Sequence, residues 1–206
     1  MVAKQQKIAV IGAGLMGHGI ALTLARAGHH IAITDPVAAA RESVADRMRL
    51  SMQAMGVAER DAAAALGLIK VFTTTAEAVQ NSDFVFEAVP EKMDLKRAIF
   101  AEIEAHAPED CVLASNTSVM PITEIMQDLR LKNRALGTHW WNPPHMIPLV
   151  EVIRTDAVDT AIAQATFDLL ADAGKTPVMV EKDVPGFIGN RLQHALWREA
   201  ISLVEN

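Results

Sequence analysis

Cysteine is nearly absent. The 206-residue chain holds one, Cys111, so it cannot form an internal disulfide, which suits a reducing compartment. No apolar run reaches the ~20 residues that a membrane-spanning helix needs. The opening Met-Val-Ala-Lys-Gln-Gln-Lys runs straight into a strand-like segment, without the apolar core and small-residue cleavage site of a secretory leader. Positive charge is not in excess. Lys and Arg number 19 against 25 Asp and Glu, a net charge of -6, which argues against nucleic acid as a partner. Internal repeats and low-complexity stretches are missing too. The expectation from these absences is a cytoplasmic protein with neither a membrane nor a nucleic acid partner. What is present is 50% hydrophobic and 21% charged residues, enough for one well-packed domain and the start of a second.

The first half alternates in pattern. Residues 7–11, 30–34, 69–73, 84–88 and 112–115 read as strands, and 15–27, 37–55, 58–66 and 94–106 as helices. Gly28 is suited to ending the first helix. That alternation predicts an α/β fold, a doubly wound and mostly parallel sheet. The pattern then changes. Strands at 135–139 and 149–153 flank a turn, 140–148, that holds three prolines, which predicts an antiparallel hairpin at the sheet edge. A helix at 160–173, a strand at 177–180 and a last helix opening at Pro185-Gly186 follow. In that last helix Ile188, Leu192, Leu196, Ile201, Leu203 and Val204 form an apolar stripe that needs a partner surface. The expected division is 1–184 as one domain and 185–206 as the first helix of a second. The chain is then either cut at a domain boundary or paired through this helix with another chain.

Gly12-Ala13-Gly14-Leu15-Met16-Gly17 follows a strand and opens a helix, the context in which Gly-x-Gly-x-x-Gly marks a dinucleotide site of the Rossmann type. Gly12 permits the tight turn, Gly14 lets a pyrophosphate approach the backbone, and Gly17 lets the helix pack close to the sheet. Asp35 ends the second strand at the spacing expected for a carboxylate that binds the adenosine ribose. A carboxylate there repels a 2′-phosphate, so NAD is expected rather than NADP. The plainer alternative is that Asp35-Pro36 only starts the next helix.

The second half has its own constellation. His139 and Glu151 lie twelve residues apart on the two hairpin strands and can face each other if those strands pair. Oxidising an alcohol by hydride transfer leaves a hydroxyl proton, which an imidazole can accept. A carboxylate on the far ring nitrogen fixes the tautomer and stabilises the imidazolium. The alternative for His139 is a hydrogen-bonded core histidine. His145 near His139 lacks an evident third ligand, so no metal is expected. Met48, Met52 and Met55 read as packing, and Trp140 and Trp141 either pack the hairpin or line a substrate pocket.

Taken in order, these segments resemble the NAD-binding domain of the L-3-hydroxyacyl-CoA dehydrogenase family, from about Lys7 to Asn206. The motifs are the glycine turn, Glu87-Ala88-Val89-Pro90-Glu91, Ser115-Asn116-Thr117-Ser118, His139-x-x-Asn142-Pro143, Leu149-Val150-Glu151-Val152 and Asp183-Val184-Pro185-Gly186-Phe187-Ile188-Gly189-Asn190-Arg191. The resemblance implies His139 as the catalytic base and Glu151 as its orienting partner. It implies that Ser118 and Asn190 hydrogen-bond the substrate oxygen and that Asn142 shapes the same pocket. Around the cofactor it implies Gly12, Gly14, Leu15, Met16, Gly17, Asp35, Ala88, Val89, Asn116 and Ser118, with Glu91 and Lys96 near the nicotinamide ribose and Lys92 near the entry. Read plainly, Ser118 could cap a helix at 121–126, Asn190 could be an exposed polar face, and Lys96 could be a surface charge.

Two departures bear on the substrate. Members that use coenzyme A carry a longer, Lys-rich helical hairpin after the second strand, whereas residues 41–68 here are short and Ala-rich. Proline also stands before Leu149-Val150-Glu151 where many such members have lysine. The substrate is therefore either a hydroxyacyl-CoA thioester or a small free hydroxy acid of the gulonate, carnitine or pyridine-carboxylate kind. A non-catalytic NAD-binding domain is a further alternative, and so is a family with a lysine base, for which Lys175 and Lys182 are candidates. The resemblance also implies a homodimer through C-terminal helices. A domain lacking those helices is expected to bind NAD but turn over poorly.

Overall fold

The computed structural model describes residues 5–205. Residues 1–4, which the sequence reading placed before the first strand, and Asn206, which ends the last predicted helix, lie outside the described residues.

Strand β1 (Lys7–Ile11) leads through the glycine turn into α1 (Leu15–Arg26), and β2 (His30–Thr34) follows. Gly28, at φ +95°, makes the left-handed turn that ends α1. Next come α2 (Ala38–Glu42), α3 (Val44–Ala54), α4 (Glu59–Gly67), β3 (Ile69–Phe72) and α5 (Thr75–Val79). The continuous helix expected over 37–55 is broken at Ser43, whose hydroxyl bonds back to the Ala39 carbonyl at 2.7 Å. Helix α5 was not expected. It is five residues long, and Thr74 caps it by accepting the Glu77 N–H.

β4 (Phe84–Glu87), α6 (Met93–His106), β5 (Val112–Ser115), α7 (Ile122–Ile125), β6 (Ala135–Trp140) and β7 (Leu149–Ile153) continue the chain, followed by α8 (Thr160–Asp172), β8 (Thr176–Val180) and α9 (Gly189–Glu205). The eight strands among the described residues form one sheet in the order β3-β2-β1-β4-β5-β6-β7-β8. Strands β1 to β6 run parallel, and β6 pairs antiparallel with β7. The hairpin lies one strand inside the edge, because β8 adds parallel to β7.

Apolar side chains fill both faces, as a doubly covered sheet requires. One core holds Ile20, Leu22, Phe86 and Trp140, and the other holds Phe100, Leu113, Ile122 and Phe187. The strand order reverses between β1 and β4, so the crevice at their carboxyl ends is where ligands bind in such sheets. None of the residues of α9 is buried, and Leu192, Leu196, Trp197 and Ile201 are exposed along it. No helix among the described residues is long and apolar enough to cross a membrane.

Candidate active site

The glycine turn lies at the crevice. Gly12 has φ +104°, and a Cβ on it would come within 2.6 Å of the Ala88 carbonyl at the end of β4. A Cβ on Gly17 would lie 1.7 Å from the Gly12 carbonyl oxygen. Over Gly14 nothing lies within 4 Å. Helix α1 starts there with no side-chain cap, so its first N–H groups are free for an anion. A cleft of about 760 Å³ opens in front, walled by Leu15, Val37, Ala88, Val89 and Leu95, with Asp35 at one end and Gly14 and Met16 beside it. Its size, apolar walls and uncapped helix fit a dinucleotide.

Asp35 ties the glycine turn to the chain that enters α2. Its Oδ1 accepts the Val37 N–H at 2.9 Å, and its Oδ2 accepts the Ala13 N–H at 2.8 Å. A carboxylate has about four acceptor positions, so two remain for ribose hydroxyls.

Beside the cleft lies a buried polar network at the ends of β4 and β5. Lys96 is completely buried, not a surface charge, and its ammonium donates to Glu87 Oε1 at 2.8 Å and pairs with Glu91 Oε2 at 3.3 Å. It also donates to the Val89 carbonyl at 3.4 Å. Its donors are thus taken by protein groups, and it braces the segment from Glu87 to Glu91 after β4. Ser115 donates to Glu87 Oε2 at 2.6 Å. Burial pushes the Glu87 carboxyl above its usual range, against the pull of Lys96, Ser115 and the Val89 amide. Glu91 is exposed and accepts from the Thr117 hydroxyl and, at 3.0 Å, from the Ser118 N–H. Burial raises its pKa, but the Thr117 hydrogen bond and the Lys96 charge outweigh that and leave it below the usual range. Lys92 is exposed at the start of α6. Asn116 links strands, its side-chain oxygen accepting the Trp140 N–H at 3.1 Å.

His139 and Glu151 are direct cross-strand partners in the β6–β7 register. His139 Nδ1 and Glu151 Oε2 are 2.7 Å apart, and both residues are buried. Among the described residues no hydrogen bond reaches the other ring nitrogen. The carboxylate can only accept, so Nδ1 carries a proton in this bond. The imidazole lies between Trp141, at 5.1 Å between ring centres, and Phe187, at 5.7 Å.

The second oxygen of Glu151 accepts the N–H groups of Ile188 and Gly189, at 2.8 and 3.0 Å, where α9 begins. Burial works to raise the Glu151 pKa, yet the bonds from His139 and these two amides hold it below the usual carboxylate range. It is therefore ionised beside the imidazole at neutral pH.

Asn190 Nδ2 donates to the Ser118 carbonyl at 2.8 Å, which joins the first turn of α9 to the loop after β5. Ser118 and Asn142 are exposed, and the Asn142-Pro143 peptide is cis. Ser118 does not cap α7. That helix is held by Asp183, whose two carboxylate oxygens accept the Ile122 and Thr123 N–H groups at 3.0 and 2.7 Å. Trp140 is buried in the core, and Trp141 packs against Gly189. Lys175, a rival base, donates to the Pro144 and Ile147 carbonyls at 2.5 and 3.0 Å and so clasps the proline turn. Lys182 is exposed.

Sequence reasoning missed Glu87, Thr117 and the amides of Ile188 and Gly189 as parts of this assembly. Glu87 had a signal, a lone acid ending the apolar strand Phe84-Val85-Phe86. The amides had none, because backbone groups leave no mark on a sequence.

A doubly wound sheet with a glycine-turn cleft and a buried imidazole–carboxylate pair on two of its strands defines a dinucleotide-binding domain of the dehydrogenase kind. Residues 7–184 match the family model described as 3-hydroxyacyl-CoA dehydrogenase, NAD binding domain, and the chain belongs to that family, with NAD as its cofactor. It is 37% identical over 203 residues to the 5-formyl-3-hydroxy-2-methylpyridine 4-carboxylate 5-dehydrogenase of Mesorhizobium japonicum, covering 97% of this chain and 65% of that protein. To an L-carnitine dehydrogenase of Streptomyces coelicolor it is 38% identical, covering 97% of this chain and 63% of the relative. The crystal structure of an (S)-3-hydroxybutyryl-CoA dehydrogenase from Ralstonia eutropha superposes with TM-score 0.92 at 31% identity, over 98% of this chain and 72% of that one. The chain thus spans somewhat less than two thirds of the length of the first two relatives.

Proposed function

We propose that this chain is the cofactor-binding and base-bearing part of an NAD-dependent dehydrogenase that oxidises the hydroxyl of a 3-hydroxyacyl compound. The observation that carries this reading is the 2.7 Å pair of His139 and Glu151, with the second imidazole nitrogen unbonded. NAD, when bound, supplies the hydride acceptor.

The protein's part is to bind, orient and take a proton. The α1 N-terminus holds the pyrophosphate, and Asp35 holds the adenosine ribose. His139 Nε2 accepts the substrate hydroxyl proton. Glu151, kept ionised by two amides, balances the imidazolium that results. Ser118, Asn190 and Asn142 orient the substrate oxygen with neutral donors.

Two groups of observations favour a small free hydroxy acid as a second reading of the substrate. The α3–α4 hairpin offers no cluster of free cations for the phosphates of coenzyme A: Arg47 is taken by backbone carbonyls and Arg49 pairs with Asp46 at 2.7 Å, which leaves Arg60 as a single exposed charge. Relatives named for carnitine and a pyridine carboxylate also stand beside the acyl-CoA ones. In this account residues 185–206 begin a second domain, and the exposed apolar stripe of α9 supports a homodimer through C-terminal helices. The single buried cysteine fits a cytoplasmic setting.

The test is calorimetric titration of NAD and NADP into the wild-type chain and Asp35→Ser, followed by assay of hydroxyacyl-CoAs and free hydroxy acids. NAD affinity is expected to fall about tenfold or more in Asp35→Ser, and NADP affinity much less. Equal losses contradict the ribose role. NAD binding with no oxidation of any hydroxy compound favours a non-catalytic domain.

A further inference from the structure

The glycine turn is gripped from behind by a helix that takes no part in lining the cleft. Arg47, on α3, donates from Nη2 to the Ala13 carbonyl at 2.5 Å and to the Ala40 carbonyl at 3.0 Å, and from Nη1 to the Gly14 carbonyl at 3.3 Å. His18 Nδ1 is 3.0 Å from the same Gly14 oxygen, and its Nε2 faces the Ser51 hydroxyl of α3 at 3.5 Å. A carbonyl cannot donate, so Nδ1 bears the proton. Burial keeps the His18 pKa below its ordinary value, with the Arg47 charge adding to this, so the ring is neutral near neutral pH.

In a trans peptide the C=O of one residue and the N–H of the next point in opposite directions. Fixing the Ala13 and Gly14 carbonyls on the α3 side therefore turns the Gly14 and Leu15 N–H groups the other way. The Ala13 N–H is already committed to Asp35 at 2.8 Å. The turn is thus held by named partners on both sides, while the space over Gly14 stays open.

We propose that Arg47 is a positioning residue for dinucleotide binding, presenting the Gly14 and Leu15 amides to the pyrophosphate without touching it. The guanidinium also places a positive charge behind the turn, where a pyrophosphate gains from it. This role rests on the NAD reading above and concerns the cofactor's phosphates alone.

The test uses binding, not turnover. NAD, ADP-ribose and adenosine are titrated into the wild-type chain, Arg47→Met and Arg47→Lys, with thermal midpoints recorded for each. Arg47→Met is expected to weaken NAD and ADP-ribose about tenfold and to leave adenosine unchanged. Lysine keeps the charge but lacks the planar fork whose two nitrogens reach the Ala13, Ala40 and Gly14 carbonyls together, so Arg47→Lys is expected to fall between. Undiminished NAD affinity in Arg47→Met overturns the proposal. So does an equal loss for adenosine, which marks a general loosening of the fold. A wild-type chain that binds no NAD overturns this proposal and the cofactor reading together, whereas one that binds NAD with no Arg47 effect overturns this proposal alone.

Discussion

His139→Gln lowers turnover by about 10²- to 10⁴-fold and leaves the Kd for NAD unchanged. Glutamine approximates the length of the imidazole and can still offer an amide N–H to Glu151, but it has no nitrogen that accepts a proton. The cofactor cleft is built from the ends of β1, β2 and β4, and His139 is not among the residues that wall it. Loss of chemistry with binding intact is therefore the signature expected of a base. Glu151→Gln costs less, because the base survives. It lowers kcat while KM holds, through poorer support for the imidazolium. Steady-state oxidation rates combined with NAD titration check both variants, and turnover retained in His139→Gln contradicts the assignment.

The second large effect separates two glycines three residues apart. Gly17→Ala places a methyl 1.7 Å from the Gly12 carbonyl oxygen, which is backbone and cannot swing aside. Helix α1 must then move off the turn, at a cost of about 1–3 kcal/mol in stability. NAD binding is lost with the turn's geometry. Gly14→Ala meets nothing within 4 Å, so the protein folds normally. Its methyl instead faces the space where phosphate is expected, and NAD affinity falls. A lower Tm in Gly17→Ala only, with weaker NAD binding in both, is the expected pattern. Calorimetry and thermal melts measure it directly. Unchanged NAD affinity in Gly14→Ala contradicts the placing of phosphate there.

Much of this was legible in the sequence where a chemical need restricts the residue type. Only glycine fits at positions 12 and 17, so the turn announced itself. The hairpin put His139 opposite Glu151 because strand pairing has a fixed period and the proline turn set the register. Less legible was anything decided by tertiary packing. Lys96 looks like any helical lysine until β4 buries an acid against it. The break at Ser43 depends on a hydroxyl that bonds its own helix, a choice that spacing alone does not reveal. β8 extends the sheet beyond the hairpin, which periodicity could not rank against an edge at β7. The second half of the Glu151 carboxylate is satisfied by backbone amides 37 and 38 residues away, and no side chain signals that contact.

The central claim is spatial: His139 and the nicotinamide end of NAD share one site. Heteronuclear NMR of the His139 ring, recorded while NAD and then ADP-ribose are titrated into the chain, tests it most directly. NAD is expected to shift the ring resonances strongly, and ADP-ribose, which lacks nicotinamide, to leave them nearly unmoved. Identical responses to the two ligands, or an unmoved ring under saturating NAD, contradict it.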